Sequence, residues 1–136
     1  MNRATTIAAM EPMKTKLSTL WIFIMFNMLF ADIFTFMNPG FLTGLMGGSA
    51  EQLQITPGLL LGFAIVTEIP IAMVLLARIL SYRANRWANI IAGTITILYV
   101  IGGGSTTPHY LFFATIEVVA AAFIIGYAWK WASPQG

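Results

Sequence analysis

Residues 63–80 read FAIVTEIPIAMVLLARIL, an almost entirely apolar stretch that carries a carboxylate at Glu68 and a proline at Pro70. Roughly 20 consecutive apolar residues are enough for a helix to cross the hydrocarbon core of a bilayer. Extended back to residue 57, this stretch therefore predicts a membrane-spanning helix over 57–80. An acidic side chain inside such a helix is costly, so it also indicates where a functional site is to be sought.

The composition extends this prediction to the whole chain of 136 residues. Hydrophobic residues make up 58% and charged residues 9%, whereas soluble domains carry about 25% charged residues. Three further apolar stretches of spanning length lie at 17–37, 87–103 and 108–131. We therefore predict a single transmembrane domain over residues 1–136, an all-α integral membrane protein folded as a four-helix antiparallel bundle.

The basic residues predict how the helices are oriented in a cell membrane. None of the seven lies in the connections 38–56 or 102–107; they are Arg3, Lys14, Lys16, Arg78, Arg83, Arg86 and Lys130. The positive-inside rule then predicts a multi-pass protein whose N- and C-termini are both cytoplasmic. Since these residues act as topology signals, the lipid bilayer is the expected partner and no nucleic acid is. The absence of cysteine excludes disulfides and thiolate chemistry.

Local signals predict where helices begin and end. Thr56-Pro57 and Thr107-Pro108 each place threonine before a proline, which is a good helix start. Asn38-Pro39-Gly40 predicts the end of the first span. The connection 41–56 is either a short interfacial helix or a mobile loop.

Small and aromatic residues suggest how the helices meet each other and the membrane surface. The small residues Ala88, Ala92, Gly93 and Thr96 predict a close helix contact along the third span. The aromatic residues near the cytoplasmic ends are interpreted as an interfacial belt: Trp21, Trp87, Trp129, Trp131, Tyr82 and Tyr127.

Three acids lie inside the predicted spans, all between the outer face and the midplane, and no lysine or arginine lies at a comparable depth. An isolated charge there costs about 3 kcal/mol even on the lower insertion scales. We therefore expect the acids to face the bundle interior and to line one cavity, with further polar side chains nearby. The candidate ligand-binding residues are Asp32, Glu68, Glu117, Asn27, His109 and Tyr99.

Two interpretations of Glu68 remain open. Pro70 leaves the Val66 carbonyl without its helical donor, and Thr67 could absorb part of the disruption by bonding to the Phe63 carbonyl. Glu68 would then stand in a kinked helix beside a cavity and bind a ligand. Alternatively, a protonated Glu68 forms a hydrogen bond to a neighbouring helix and only stabilises the bundle.

The sequence assigns no catalytic residue, cofactor or metal. His109 and the three acids include ligand types for a divalent cation, but no H-x-x-x-H or E-x-x-H spacing is present. The GGGS segment at 102–105 lacks the lysine of a phosphate-binding loop.

Two segments carry a family resemblance: LSTLWIFIMFNMLFADIFTFMNPG (17–40) and EIPIAMVLLARILSYRANRWANIIAG (68–93). The chain resembles a functionally uncharacterised family of small four-helix bacterial integral membrane proteins. That resemblance implies a four-helix bundle in a bacterial membrane and no particular activity. In size and helix number alone the chain is also similar to small multidrug-resistance antiporters, whose first-helix glutamate has no match here. As a helical bundle with intramembrane acids it is similar to emopamil-binding sterol isomerases, whose motifs it does not share.

Three functions are consistent with these observations. The first is a transporter-like protein with an acid-lined cavity that binds or transports a cationic or proton-coupled small molecule; transport requires access from both sides or a homo-oligomer that supplies it. The second is an intramembrane enzyme that uses a carboxylate pair on a lipophilic substrate. The third is a structural or accessory protein whose acids hold helices together. Acids around a cavity favour the first two, and dry, paired acids favour the third.

Overall fold

The computed structural model describes residues 2–50 and 53–133. Helices dominate, and a hairpin of two short antiparallel strands pairs Ser49 with Gln54. The elements are α1 (Arg3–Met37), α2 (Phe41–Met46), β1 (Ser49–Ala50), β2 (Leu53–Gln54), α3 (Pro57–Ile79), α4 (Tyr82–Gly102) and α5 (Pro108–Lys130). The prediction of a helical fold is confirmed, with the small hairpin as an addition.

Three of the four long helices, α1, α3 and α5, are long and apolar enough to cross a membrane. They cover the predicted spans 17–37, 57–80 and 108–131, except that α3 and α5 each end one residue earlier. The helix α4 likewise ends one residue before the end of the fourth predicted span, 87–103. Asn85, Arg86 and Asn89 lower the hydropathy of its first half, and it is not among the three.

The helices α3 and α5 begin where the sequence predicts, and α1 begins earlier than predicted. Thr56 caps α3 by accepting a hydrogen bond from the Leu59 N–H at 3.1 Å. The helix α1 begins at Arg3, well before residue 17, because Asn2 Oδ1 accepts from the Thr5 N–H and caps it there. Its 35 residues extend about 52 Å at 1.5 Å per residue, which is longer than a bilayer core.

Of the two alternatives for the connection 41–56, a short helix is present as α2. It follows directly on Gly40, whose φ of +84° is a left-handed conformation that glycine adopts without strain. The chain therefore turns back over the end of α1 at this point.

Side-chain contacts show that α1 and α3 run in opposite directions. The helix α1 packs against α3 and α5, and α4 packs against the same two helices. Ser18 donates to the Val74 carbonyl at 2.8 Å, and Arg78 donates to Thr15 at 2.9 Å, so residue numbers rise along α1 as they fall along α3.

The two ends of the molecule differ in chemistry and in packing. We call the end that carries the lysines and arginines the basic end, and the opposite end, which carries α2, the α2 end. The completely buried apolar residues lie in the half of the molecule towards the basic end: Leu17, Trp21, Ile24, Ala77, Ala121, Ile124 and Ala128. The helices are therefore most tightly packed there.

The small residues of α4 make the predicted close contact. Ala92, Gly93 and Thr96 are buried. A Cβ atom on Gly93 would lie 2.8 Å from Cγ1 of Ile125 in α5, so a side chain at this position would require Ile125 or the helices to move.

A buried polar cluster joins α1, α3 and α4 near the basic end. Trp21 Nε1 donates to Asn89 Oδ1 at 2.8 Å, and Asn89 Nδ2 donates to Asn85 Oδ1 at 2.6 Å. Asn85 Nδ2 in turn donates to the Ala77 carbonyl at 2.7 Å. Trp21 is completely buried, so its interpretation as an interfacial anchor is wrong, because its indole N–H is held inside the protein by Asn89.

Candidate functional site

A cavity of about 730 Å³ lies among α1, α3, α4 and α5 at the α2 end. This volume is within the range of pockets that enclose small molecules. Most of the wall is apolar and includes Met28, Phe41, Ile55, Leu59, Phe63 and Val100. The polar part includes Asp32, Thr67, Tyr99, Tyr110 and Glu117.

Glu117 is the most unusual side chain of this cavity. It lies on the packed face of α5, in helical register with the buried residues Ala120, Ala121 and Ile124, and is only 4% exposed. Its Oε1 atom is buried and has no hydrogen-bond partner among the described residues. A buried polar atom without a partner costs roughly 1–3 kcal/mol, so this oxygen lacks a hydrogen bond that a donor reaching it would supply.

Asp32 supplies a second acid to the same cavity. It follows the buried Ala31 on α1 and is itself exposed, so it lies where the cavity opens to the surface. Asp32 and Glu117 are near enough to interact electrostatically. No lysine, arginine or histidine lines the cavity within the described part of the chain, so the negative charge that two ionised carboxylates would carry has no protein counter-charge there.

Tyr110 is held rigidly at the cavity wall. Its hydroxyl donates to the Val100 carbonyl at 2.5 Å. That hydroxyl also occupies the space in which a Cβ atom of Gly103 would stand, so glycine is the residue that fits. Tyr99, one of the predicted ligand-binding residues, lines the cavity as well. Tyr110 was not among the predicted residues, since nothing in the sequence distinguished it from a packing residue.

Glu68 lies outside the cavity, and the expectation that it faces the interior is wrong. Its side chain is exposed, whereas Pro70 is buried against the neighbouring helices. Two residues of an α-helix are about 200° apart, so burial of Pro70 turns Glu68 to the opposite side. Thr67 lines the cavity instead, and the expected hydrogen bond from Thr67 to the Phe63 carbonyl is not among those of the described residues.

The remaining two candidates do not line the cavity. Asn27 is half-buried, and its Nδ2 donates to the Phe23 carbonyl of its own helix at 2.8 Å. His109 Nε2 lies 3.3 Å from Oγ1 of Thr35, which is a lining residue, and 3.5 Å from Oγ1 of Thr107. Among residues 2–50 and 53–133, no group of three potential ligands could hold a metal ion.

The arrangement of these groups favours recognition of a cation. Glu117 is buried with an unpartnered oxygen, Asp32 is an exposed second acid, and the rest of the wall is mostly apolar. Together these groups would hold a positively charged group by charge and hydrogen bonding. Phosphate or carboxylate ligands would be repelled by the same acids. Thus the geometry would suit a cationic ligand better than an anionic one.

The chain belongs to DUF6326, a family of unknown function, whose match covers residues 7–135. This range includes the segments 17–40 and 68–93, and the prediction of an uncharacterised family is confirmed. Comparison with curated proteins and with solved structures gives no match.

Proposed function

We propose that this protein is an integral membrane protein that binds a small cationic molecule in the cavity between its helices. The four long helices form an antiparallel bundle across a cell membrane, with the basic end in the cytoplasm and the α2 end outside. Large apolar side chains on the surface of every long helix support this placement; Phe26, Leu61, Leu98 and Phe112 are each more than half exposed. Such a surface is stable in lipid and unfavourable in water.

The helix α4 serves as the fourth span in this proposal. Its polar residues Asn85 and Asn89 are completely buried and bonded to each other. They would therefore not meet lipid, which is the condition that polar groups in a membrane helix must satisfy. The side of α4 that does meet lipid carries Ile91, Leu98 and Ile101, all exposed.

The observation that carries the ligand proposal is the unpartnered Oε1 of Glu117 at the cavity wall. A purely structural acid would form a hydrogen bond to a neighbouring helix, because an unsatisfied carboxyl weakens the bundle that it is meant to stabilise. Glu117 fits a residue whose partner arrives from outside the protein. Asp32 is near enough to interact electrostatically with Glu117, and it would add to the attraction for a positive charge.

This conformation supports the proposal of ligand binding, and transport would need an additional step. The packed half of the molecule, with Trp21, Ile24 and Ile124 completely buried, lies between the cavity and the basic end. A ligand would therefore exchange with the outside in this conformation. Delivery to the cytoplasm would require the packed half to open.

The test is a thermal-unfolding screen of the purified protein against ammonium, simple amines and polyamines. A ligand that binds only the folded state stabilises it by RT ln(1 + [L]/Kd). We expect at least one amine to raise the melting temperature of the wild type and of Glu68→Gln, and not that of Glu117→Gln. Glu68→Gln is the matched control, since it removes the same group from the same kind of helix outside the cavity. Equal stabilisation of Glu117→Gln, or none of the wild type, would refute the proposal.

A further inference from the structure

We propose that the ligand is an amphipathic amine that keeps at least one N–H bond, with this N–H donating to Glu117 Oε1 and its hydrocarbon part lying on the apolar wall. This inference rests on the proposed function, because it specifies the chemical class of ligand for the same cavity. It excludes both hydrophilic cations and quaternary ammonium compounds as good ligands.

The requirement for an N–H bond follows from the state of Glu117. Its Oε1 atom is buried and without a hydrogen-bond partner, and the nearby hydroxyl of Tyr110 already donates to the Val100 carbonyl. A protonated primary, secondary or tertiary amine supplies both a charge and a donor to Oε1. A quaternary ammonium supplies charge alone, and its methyl groups keep that charge farther from the oxygen. A charge-assisted hydrogen bond is the stronger interaction.

The requirement for a hydrocarbon part follows from the rest of the wall. Met28 on α1, Leu59 and Phe63 on α3, and Val100 on α4 surround the space next to the two acids. These side chains offer no hydrogen bonds to replace the hydration shell of a small hydrophilic cation. An alkyl or aromatic group fills the same space and is itself removed from water. Burial of one methylene tightens binding by roughly three- to fourfold.

The position of Asp32 fits the same ligand. It lies on the exposed margin of the cavity, whereas Glu117 is buried. An entering cation meets Asp32 first and reaches Glu117 when its hydrocarbon part has passed the margin. Asp32→Asn should therefore weaken binding less than Glu117→Gln does.

The experiment measures affinities of four compounds for the full-length protein in lipid nanodiscs, corrected for partition into protein-free nanodiscs. The compounds are methylamine, octylamine, octyltrimethylammonium and 1-octanol. We expect octylamine to bind best, roughly tenfold or more tighter than the quaternary compound, and methylamine and octanol to bind weakly. Glu117→Gln should lose roughly tenfold or more in octylamine affinity. Phe63→Ala should reduce the factor by which octylamine binds more tightly than methylamine. Glu68→Gln should bind like the wild type.

The outcomes separate this inference from the proposed function. Glu117-dependent binding of octyltrimethylammonium as tight as that of octylamine would overturn the N–H requirement and leave cation binding intact. Glu117-dependent binding of methylamine as tight as that of octylamine would overturn the apolar requirement in the same way. If no cation binds in a manner that depends on Glu117, both the inference and the proposed function fail. The melting temperature of each variant shows that it is folded.

Discussion

At the scale of single residues, two glutamates in apolar helices take opposite positions. Glu117 is 4% exposed and lines the cavity, whereas Glu68 is exposed on the outer face of α3. The same functional group therefore has two environments within one chain. This difference makes Glu68 the natural control for every experiment on Glu117.

The orientation of Glu68 could not be predicted because α3 is apolar on nearly all sides. An amphipathic helix shows its buried face through the 3.6-residue period of its apolar residues, and the sequence of α3 gives no such contrast. The buried face passes through Pro70, Met73 and Ala77, and only packing against the neighbouring helices selects it. Small residues flank both glutamates at helical spacing, Ala64 and Ala72 around Glu68 and Ala120 and Ala121 around Glu117. The sequence therefore did not distinguish the buried acid from the exposed one.

Replacing Glu117 by a residue that needs no partner should stabilise the protein without ligand. Glu117→Met removes a buried unsatisfied oxygen at similar side-chain volume, and we expect a gain of about 1–3 kcal/mol in unfolding free energy. Residues that serve binding often reduce stability in this way. The measurement is denaturant unfolding in detergent micelles. Glu68→Met serves as the control for the polarity change, and an unchanged or lower stability of Glu117→Met would contradict the view that Oε1 is unsatisfied.

The buried polar cluster at Trp21, Asn85 and Asn89 should contribute strongly to stability. Asn89→Leu leaves the Trp21 N–H without its acceptor, and we expect a loss of about 1–3 kcal/mol. Asn27→Leu is the control, because the Asn27 amide is bonded only to a carbonyl of its own helix. Thermal unfolding of the two variants should therefore differ clearly. Equal losses would show that the cluster contributes no more than a local bond.

At the scale of secondary-structure elements, helix ends are better predicted than helix lengths. Thr56-Pro57 and Thr107-Pro108 begin α3 and α5 as expected, although only Thr56 accepts a capping hydrogen bond through its side chain. The start of α1 at Arg3 was missed because residues 3–16 are too polar for a membrane span and contain Pro12. The hydropathy that defines a span therefore defines only part of this helix.

The contact between α4 and α5 provides a test at this scale. Gly93→Val would place side-chain atoms against Ile125, and overpacking of this kind costs about 1–3 kcal/mol. Gly126→Val is the control, because a Cβ atom on Gly126 meets no atom within 4 Å. The second change Ile125→Ala should recover part of the loss in Gly93→Val. Additive effects of the two substitutions in unfolding experiments would count against direct contact.

At the scale of the whole molecule, the distribution of charge predicts one orientation in the membrane. The chain contains no cysteine, so single cysteines can be introduced without background. We expect Thr43→Cys and Thr106→Cys to react with a membrane-impermeant maleimide in intact cells, and Ala84→Cys to react only after lysis. All three positions are exposed, so reactivity reports the side of the membrane. Labelling of Ala84→Cys in intact cells would reverse the orientation.

The choice of Ala84 for the cytoplasmic cysteine depends on side-chain burial, which the sequence did not reveal. Asn85 follows Ala84 at the start of α4 but is completely buried and bonded to the Ala77 carbonyl. A cysteine at Asn85 would fail to react on either side of the membrane. Hydropathy and charge thus provide a prediction of the number and direction of the spans that this labelling tests, whereas the buried polar contacts between the helices depend on the phase of each helix.

The most direct test of cation binding at Glu117 is carboxyl modification within one protein. Dicyclohexylcarbodiimide enters membranes and converts accessible carboxyl groups to N-acylureas, which mass spectrometry of peptides assigns to Asp32, Glu68 or Glu117. The ligand is N,N-dimethyloctylamine, whose protonated form keeps one N–H and whose tertiary nitrogen forms no amide. We expect this amine to suppress modification of Glu117 in proportion to its concentration and to leave modification of Glu68 unchanged. Binding in the cavity would be contradicted if the amine left the modification of Glu117 unaffected, or if it suppressed the modification of Glu68 to the same extent.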